Sequence, residues 1–361
     1  MSASSSTGRA PNPARSRGNY LKNSGRDTVV LTAQDEHAAV PTYGRSALIE
    51  GFVALEDREH VSEIALKVKG NIELIVSGGS ETKRFLDEHY ILWSSEHSNG
   101  QCPSNVPFLT LLPARFAHNN GGRYPLPPSY FASYAASSGG VYAKVFYSLS
   151  ITITRARRRK FSFLASKNTI SVPFNYCPRT CPARPIPPAE SDFLADIKLP
   201  PVDLHLFTPA SDAFALGEPI PVHVQLLGPV RALREFLPDR TIAGAAPRSL
   251  IEVTLVRQMR LHIHGSVEPT RVTSGRSILL PTPPSVSAHL DSDEESASLD
   301  WSGELRIDPS VAAVGSFDAA VLQVQDFIVI DVLEPAGSKS QFTRTRHSRP
   351  IRLVTDPWPD S

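Results

Sequence analysis

The sequence predicts an all-β protein built as two β-sandwiches in tandem, and three observations carry that prediction. Apolar residues recur with period two between short turn clusters, the pattern of half-buried strands. The chain holds 32 prolines in 361 residues, close to twice the average usage of roughly 5%, and prolines rarely sit inside helices. A proline-rich stretch near the middle separates two runs of strand pattern. At this length one core is seldom enough, so two domains of roughly 150 residues plus tails are expected.

Residues 1–40 are rich in Ser, Arg, Gly, Asn and Ala with little apolar periodicity and are expected to form a disordered tail, in which Val29-Val30-Leu31 is long enough for a short strand. A first domain is expected over 41–176. Its strands read as Leu48 with Phe52 to Leu55, then Ile64, Leu66 and Val68, then Ile72, Leu74 and Val76 before Ser77-Gly78-Gly79-Ser80. The clearest is Val141 to Arg159. Val141, Ala143, Val145, Tyr147, Leu149, Ile151 and Ile153 share one face, opposite Tyr142, Lys144, Phe146, Ser148, Ser150, Thr152 and Thr154. That strand is expected to be central. Residues 177–200, starting CPRTCPARPIPPAESD, read as an extended, semi-rigid connector. A second all-β domain is expected over 201–356, with a short helix near Val230 to Leu237 and a mobile acidic loop at 281–300.

Composition excludes several function classes. Lys and Arg number 37 against 36 Asp and Glu, a formal net charge of +1, so no chain-wide field favours nucleic acid. Cys102, Cys177 and Cys181 make no disulfide framework, the first residues lack the apolar stretch of a signal peptide, and no run suits a transmembrane helix. A cytoplasmic protein with free thiols is expected. The nucleophile-elbow, phosphate-loop, zincin and dinucleotide motifs are absent from the sequence, so no catalytic residues and no cofactor are predicted. Cys177-x-x-x-Cys181 falls short of four zinc ligands. His262 and His264 share a strand face with Glu252, Thr254, Gln258 and Arg260, which reads as a solvated surface, so no metal is predicted.

Six segments then come in a distinctive order: Ile49-Glu50-Gly51-Phe52-Val53, Ile64 to Gly70, Ile91-Leu92-Trp93, Pro107 to Pro113, Leu126-Pro127-Pro128-Ser129, and Gly139 to Arg155. This order resembles the N-terminal domain of the arrestin family, in its fungal α-arrestin-like branch. Ile220 to Leu226, Val253 to Gln258 and Leu299 to Glu304 fit the C-terminal domain by position and β character. The resemblance implies two immunoglobulin-like, arrestin-fold sandwiches and a non-catalytic adaptor. Such an adaptor links membrane cargo, a transporter or receptor, to a WW-containing HECT-type ubiquitin ligase in endocytosis, with possible recruitment to plasma membrane or endosomes. The alternative is a retromer-type trafficking or structural scaffold on the same fold that binds no ligase.

Four candidate sites follow. Pro127-Pro128-Ser129-Tyr130 is the one Pro-Pro-x-Tyr string in the chain. It reads either as a packed turn or as an exposed ligand for a WW groove. Arg155 continues the inward row after Ile153, which either ends at solvent or buries a guanidinium that must find carboxylates. Asp326, Asp331 and the acids of 291–295 are its candidate partners. Arg157, Arg158, Arg159 and Lys160 form a basic cluster, either a solvated edge or a contact for phosphorylated cargo or anionic lipid. Ser292, ahead of Asp293-Glu294-Glu295, suits an acid-directed kinase.

Overall fold

The alternating runs become strands throughout. The structure, a computed structural model, describes residues 17–35, 38–98, 100–134, 140–156, 166–182, 192–237, 250–282, 296–310, 314–334, 340 and 342–358. It divides into two units, Met1–Pro178 and Arg179–Ser361. Among the described residues no helix is long and apolar enough to cross a membrane.

The first unit contains β1 (Arg17–Ser24), β2 (Asp27–Asp35), β3 (Thr42–Tyr43), β4 (Leu48–Leu55), β5 (Val61–Val76), β6 (Gly79–Ser94), β7 (Asn105–Leu111), β8 (Arg115–Ala117), β9 (Arg123–Pro125), β10 (Tyr130–Tyr134), β11 (Val141–Arg155) and β12 (Ser166–Tyr176). One sheet runs β1-β2-β4-β7 and the other β3-β12-β11-β5-β6, with β10 also on β11 and β8-β9 a separate hairpin. Each large sheet buries alternate residues, giving a sandwich-like unit. As expected, β11 is central, paired to β5 and β12, and its row from Val141 to Ile153 is buried at every second residue.

The tail is a correction. Residues 17–35 form a paired hairpin, β1 on β2, and β2 is paired in turn to β4. The short strand expected at Val29-Val30-Leu31 lies within β2, and what a composition averaged over forty residues hides is its pairing to β1 and to β4, with Val29, Val30 and Leu31 all buried.

The second unit contains β13 (Asp192–Leu199), β14 (Val202–Pro209), β15 (Ala213–Ala215), β16 (Ile220–Gly228), α1 (Val230–Leu233) with a 3₁₀ turn to Phe236, β17 (Ile251–Ile263), β18 (Ser266–Ser277), β19 (Leu280–Pro281), β20 (Ala297–Ile307), β21 (Phe317–Asp318), β22 (Leu322–Val332) and β23 (Thr345–Val354). The hydrogen-bonded path is β13-β14-β16-β20-β18-β17-β22-β23-β15, with β19 on β20 and β21 on β22. Leu204, Val224, Leu255, Ile328 and Leu353 lie at the centre of its core.

Here the connector is corrected. Its last third is β13, antiparallel to β14, with Ala195, Ile197 and Leu199 buried. Its first residues are already tied to the far end of this unit. The Thr180 N–H donates to Thr355 Oγ1 at 2.7 Å, the Asp356 N–H donates to Thr180 O at 2.9 Å, and Arg179 pairs with Asp356. Proline density masked a period-two run of only three residues. Residues 183–191 lie outside the described residues, as do 283–295 of the acidic loop.

Gly51 on β4 shows how tightly the first sheet is drawn. A Cβ there would run into the Val30 carbonyl oxygen and stand 2.9 Å from the Phe108 ring. The oxygen belongs to a strand and cannot move aside as a flexible side chain does. Gly51→Ala is expected to cost about 1–3 kcal/mol, read as a lowered midpoint in urea unfolding; an unchanged midpoint would refute this packing.

Candidate functional site

Arg155 ends the inward row of β11, and the structure supplies its carboxylate. Ile153 is fully buried, the pairing with β5 slips between Thr154 and Arg155, and the guanidinium turns toward Asp27 at the start of β2 in the other sheet. The contact is bidentate: Nη2 donates to Oδ1 at 2.6 Å and Nη1 to Oδ2 at 3.0 Å. Nη2 also donates to the Asp57 carbonyl at 3.1 Å. Asn168 of β12 donates from Nδ2 to Asp27 Oδ2 at 2.9 Å and to the Ser24 carbonyl, while Ser24 Oγ donates back to Asn168 Oδ1. Four strand ends therefore converge on one carboxylate.

Asp27 is 2% exposed and the Arg155 side chain 20%. The hydrogen bond to Asp27 pushes the Arg155 pKa above its ordinary value, against the opposing effect of burial. Cys102, 1% exposed, lies in the same electrostatic neighbourhood. Burial pushes its thiol up, and the charges of Arg58 and Arg155 pull it part of the way back. Arg155 is thus partly buried and paired to a carboxylate, and its partner Asp27 lies in the stretch that composition reads as a disordered tail. Asp326 and Asp331 are engaged elsewhere, by Arg257 and by Arg344 with Arg346.

The Pro-Pro-x-Tyr string is built into the unit. Pro127, Pro128 and Tyr130 are buried. Tyr147 Oη donates to the Pro127 carbonyl at 2.5 Å, the Ser129 N–H donates to Tyr176 O at 2.8 Å, and the Tyr176 N–H donates to Ser129 Oγ at 2.9 Å. Tyr130 opens β10 opposite Val145. A WW groove needs both prolines and the tyrosine free, so the ligand reading is corrected to a packed turn in this fold. Arg157, Arg158, Arg159, Lys160 and Ser292 lie outside the described residues.

His262 and His264 are exposed as expected, but their face is not solvated throughout, because Thr254 and Gln258 are buried. The middle of β17, between β18 and β22, is covered on both faces. Cys177 and Cys181 are exposed free thiols. Among the described residues no group of three or more His, Cys, Asp or Glu is arranged to hold a metal.

Two polar constellations escaped the sequence reading. Arg257 and Asp326 face each other across β17 and β22, both fully buried, with Nε donating to Oδ1 at 2.9 Å and Nη2 to Oδ2 at 3.0 Å. Nη2 also reaches the Val314 carbonyl at 2.9 Å, and Ser316 Oγ donates to Asp326 Oδ2 at 2.8 Å while accepting the Leu353 N–H. Nη1 has no hydrogen-bond partner among the described residues. The signal was available: Arg257 continues Ile251, Val253 and Leu255, and Asp326 precedes Ile328, Ile330 and Val332, the same logic that singled out Arg155.

The second constellation runs Ser302–His223–Asp300. His223 Nδ1 lies 3.0 Å from Ser302 Oγ and Nε2 lies 3.1 Å from Asp300 Oδ1, and Gln225 and Ser298 also donate to Asp300. The order is that of a hydrolytic triad. Its origin is the register, which sets Ser302 directly opposite His223, with β20 lying between β16 and β19 at that point. Ser302 Oγ also lies 3.1 Å from Thr282 Oγ1. The chain is a cross-strand polar ladder.

A scan of the chain against protein-family models finds no match, and a search of curated proteins finds none either.

Removing one partner of either ion pair strands a buried charge. Arg155→Met leaves Asp27 with Asn168 as its side-chain donor and is expected to cost about 3 kcal/mol. In native buffer a thiol reagent should then titrate three fast cysteines in place of two, as Cys102 becomes reachable; an unchanged count of two would refute the clamp. Arg257→Leu alone should cost about 3–5 kcal/mol, and adding Asp326→Leu should restore most of that loss. A denaturation cycle in which the two losses simply add would contradict the coupling.

Proposed function

We propose that this chain is a non-catalytic, arrestin-like adaptor, two immunoglobulin-like β-sandwiches in tandem that bring membrane cargo to trafficking machinery. The observation that carries the reading is the Asp27–Arg155 clamp. The ordered segments of the first unit lead up to an inward arginine at the end of the long central strand, and the arrestin family it resembles has a buried charge cluster, between its domains, that responds to a phosphate. A phosphate on a cargo tail offers a guanidinium stronger charge-assisted bonds than a carboxylate does. Its arrival at Arg155 would release Asp27, and with it the β1–β2 hairpin.

Within this reading the burial of Pro127, Pro128 and Tyr130 favours the form without a ubiquitin ligase docked on that string. A scaffold of the retromer type needs no exposed Pro-Pro-x-Tyr, whereas recruitment of a WW-containing HECT ligase through these residues would need the turn to unpack from Tyr147 and Tyr176. Cytoplasmic placement and recruitment to a membrane belong to the same proposal.

Titration of isolated WW domains separates the two forms. A peptide covering residues 124–134 is expected to bind them, while the intact chain is not. Saturable binding by the intact chain, abolished by Tyr130→Ala with the fold retained, would restore the ligase-recruiting form. Binding of phosphorylated cargo peptides that survives Arg155→Lys and Arg155→Met unchanged would remove the clamp from the proposal.

A further inference from the structure

The Ser302–His223–Asp300 ladder joins an exposed hydroxyl to a base whose own orientation is fixed. Ser302 is exposed, while the side chains of His223 and Asp300 are 35% and 22% exposed. A carboxylate only accepts hydrogen bonds, so the 3.1 Å contact with Asp300 Oδ1 keeps the proton of the neutral imidazole on Nε2. Nδ1 then carries the free lone pair, and the Ser302 hydroxyl, 3.0 Å away, donates to it. With that proton spent, Thr282 Oγ1 donates to Ser302 Oγ at 3.1 Å.

Each member is held in turn. Asp300 accepts Gln225 Nε2 on Oδ1 and Ser298 Oγ on Oδ2, both at 2.9 Å, which fixes the carboxylate from two sides. The His223 ring lies beside the Phe207 ring, with centroids 5.5 Å apart. The Thr282 N–H donates to the Asp300 carbonyl at 2.9 Å, and the register places His223 opposite Ser302 and Gln225 opposite Asp300. His97 also meets a serine, but its Nδ1 lies 3.5 Å from Ser94 Oγ and Ser94 is buried.

We propose that Ser302 is a nucleophilic serine that takes an acyl group from an activated carboxylic ester, with His223 as the base and Asp300 as its positioning residue. A serine hydroxyl is a weak nucleophile until an adjacent base takes its proton. The two ring nitrogens are exchanged relative to the protease triad, in which Nε2 faces the serine, and either nitrogen of a neutral imidazole can be the acceptor. In the step, Ser302 Oγ bonds the carbonyl carbon and the bond from that carbon to the leaving oxygen breaks. The Oγ proton passes to His223 Nδ1 and on to the leaving oxygen, and nothing is oxidised or reduced. The ladder supplies a nucleophile, a base and its orienter, so the ester must bring a leaving group that departs readily. The product is one acyl ester per chain, a covalent modification that sits beside a non-catalytic role.

p-Nitrophenyl acetate added to the full chain, with acetylated serines located by peptide mass spectrometry over time, tests the assignment. Ser302 is expected to be acetylated at least about 100-fold faster in the native chain than in the chain unfolded in urea, the lower range for general-base assistance, whereas Ser94 gains nothing. His223→Gln should remove that advantage. Asp300→Asn should remove most of it, since an amide can donate to Nε2 and turn the proton onto Nδ1, and Asp300→Glu should restore part of the loss. The thermal midpoint shows that each variant is folded. Native labelling of Ser302 no faster than in urea overturns the proposal without any variant, as does a native rate that His223→Gln leaves unchanged.

Discussion

A guanidinium cannot shed its charge, and in this protein that constraint organises both units. Wherever an inward row of a sheet carries an arginine, a carboxylate has to be brought to it. Arg155 draws in Asp27 from the opposite sheet, so the β1–β2 hairpin docks against the last residues of β11. Arg257 takes Asp326 from the neighbouring strand, and the two together hold residues 314–316 against β23 through Ser316. A slip of one residue in any of these strands would bury a lone charge, so the pairs act on register as well as on stability.

The pairs differ in what they leave accessible. Asp27 is enclosed but Arg155 keeps a fifth of its side chain in solvent, which gives an incoming anion a path to it. Arg257 and Asp326 have no exposed surface, and their partners are backbone and hydroxyl groups of the same unit. The same chemistry is therefore partly open to solvent in one unit and closed in the other.

Much of the fold was legible because strand periodicity is local. The buried row of β11 follows residue by residue from alternation, and the short helix after β16 lies within the Val230 to Leu237 stretch read as helical. The failures are equally local in cause. Proline density between Pro178 and Pro201 concealed β13, and the polar composition of residues 17–24 concealed β1, the strand that pairs with the expected one at Val29-Val30-Leu31. Pro127-Pro128-Ser129-Tyr130 has the same letters whether it is a ligand or a turn. The hydroxyl of Tyr147, the backbone of Tyr176 and the pairing to Val145 decide between them.

The amino-acid sequence by itself determined that this protein is built of strands, which side chains share a strand face, and that Arg155 stands where a core row would continue. It could do so because period two is a property of neighbouring residues. Tertiary structure alone decided which carboxylate answers that arginine and that Arg257 and Asp326 meet at all. Those outcomes depend on pairing between segments as far apart as Asp27 and Arg155, and no local pattern encodes a partner at that separation.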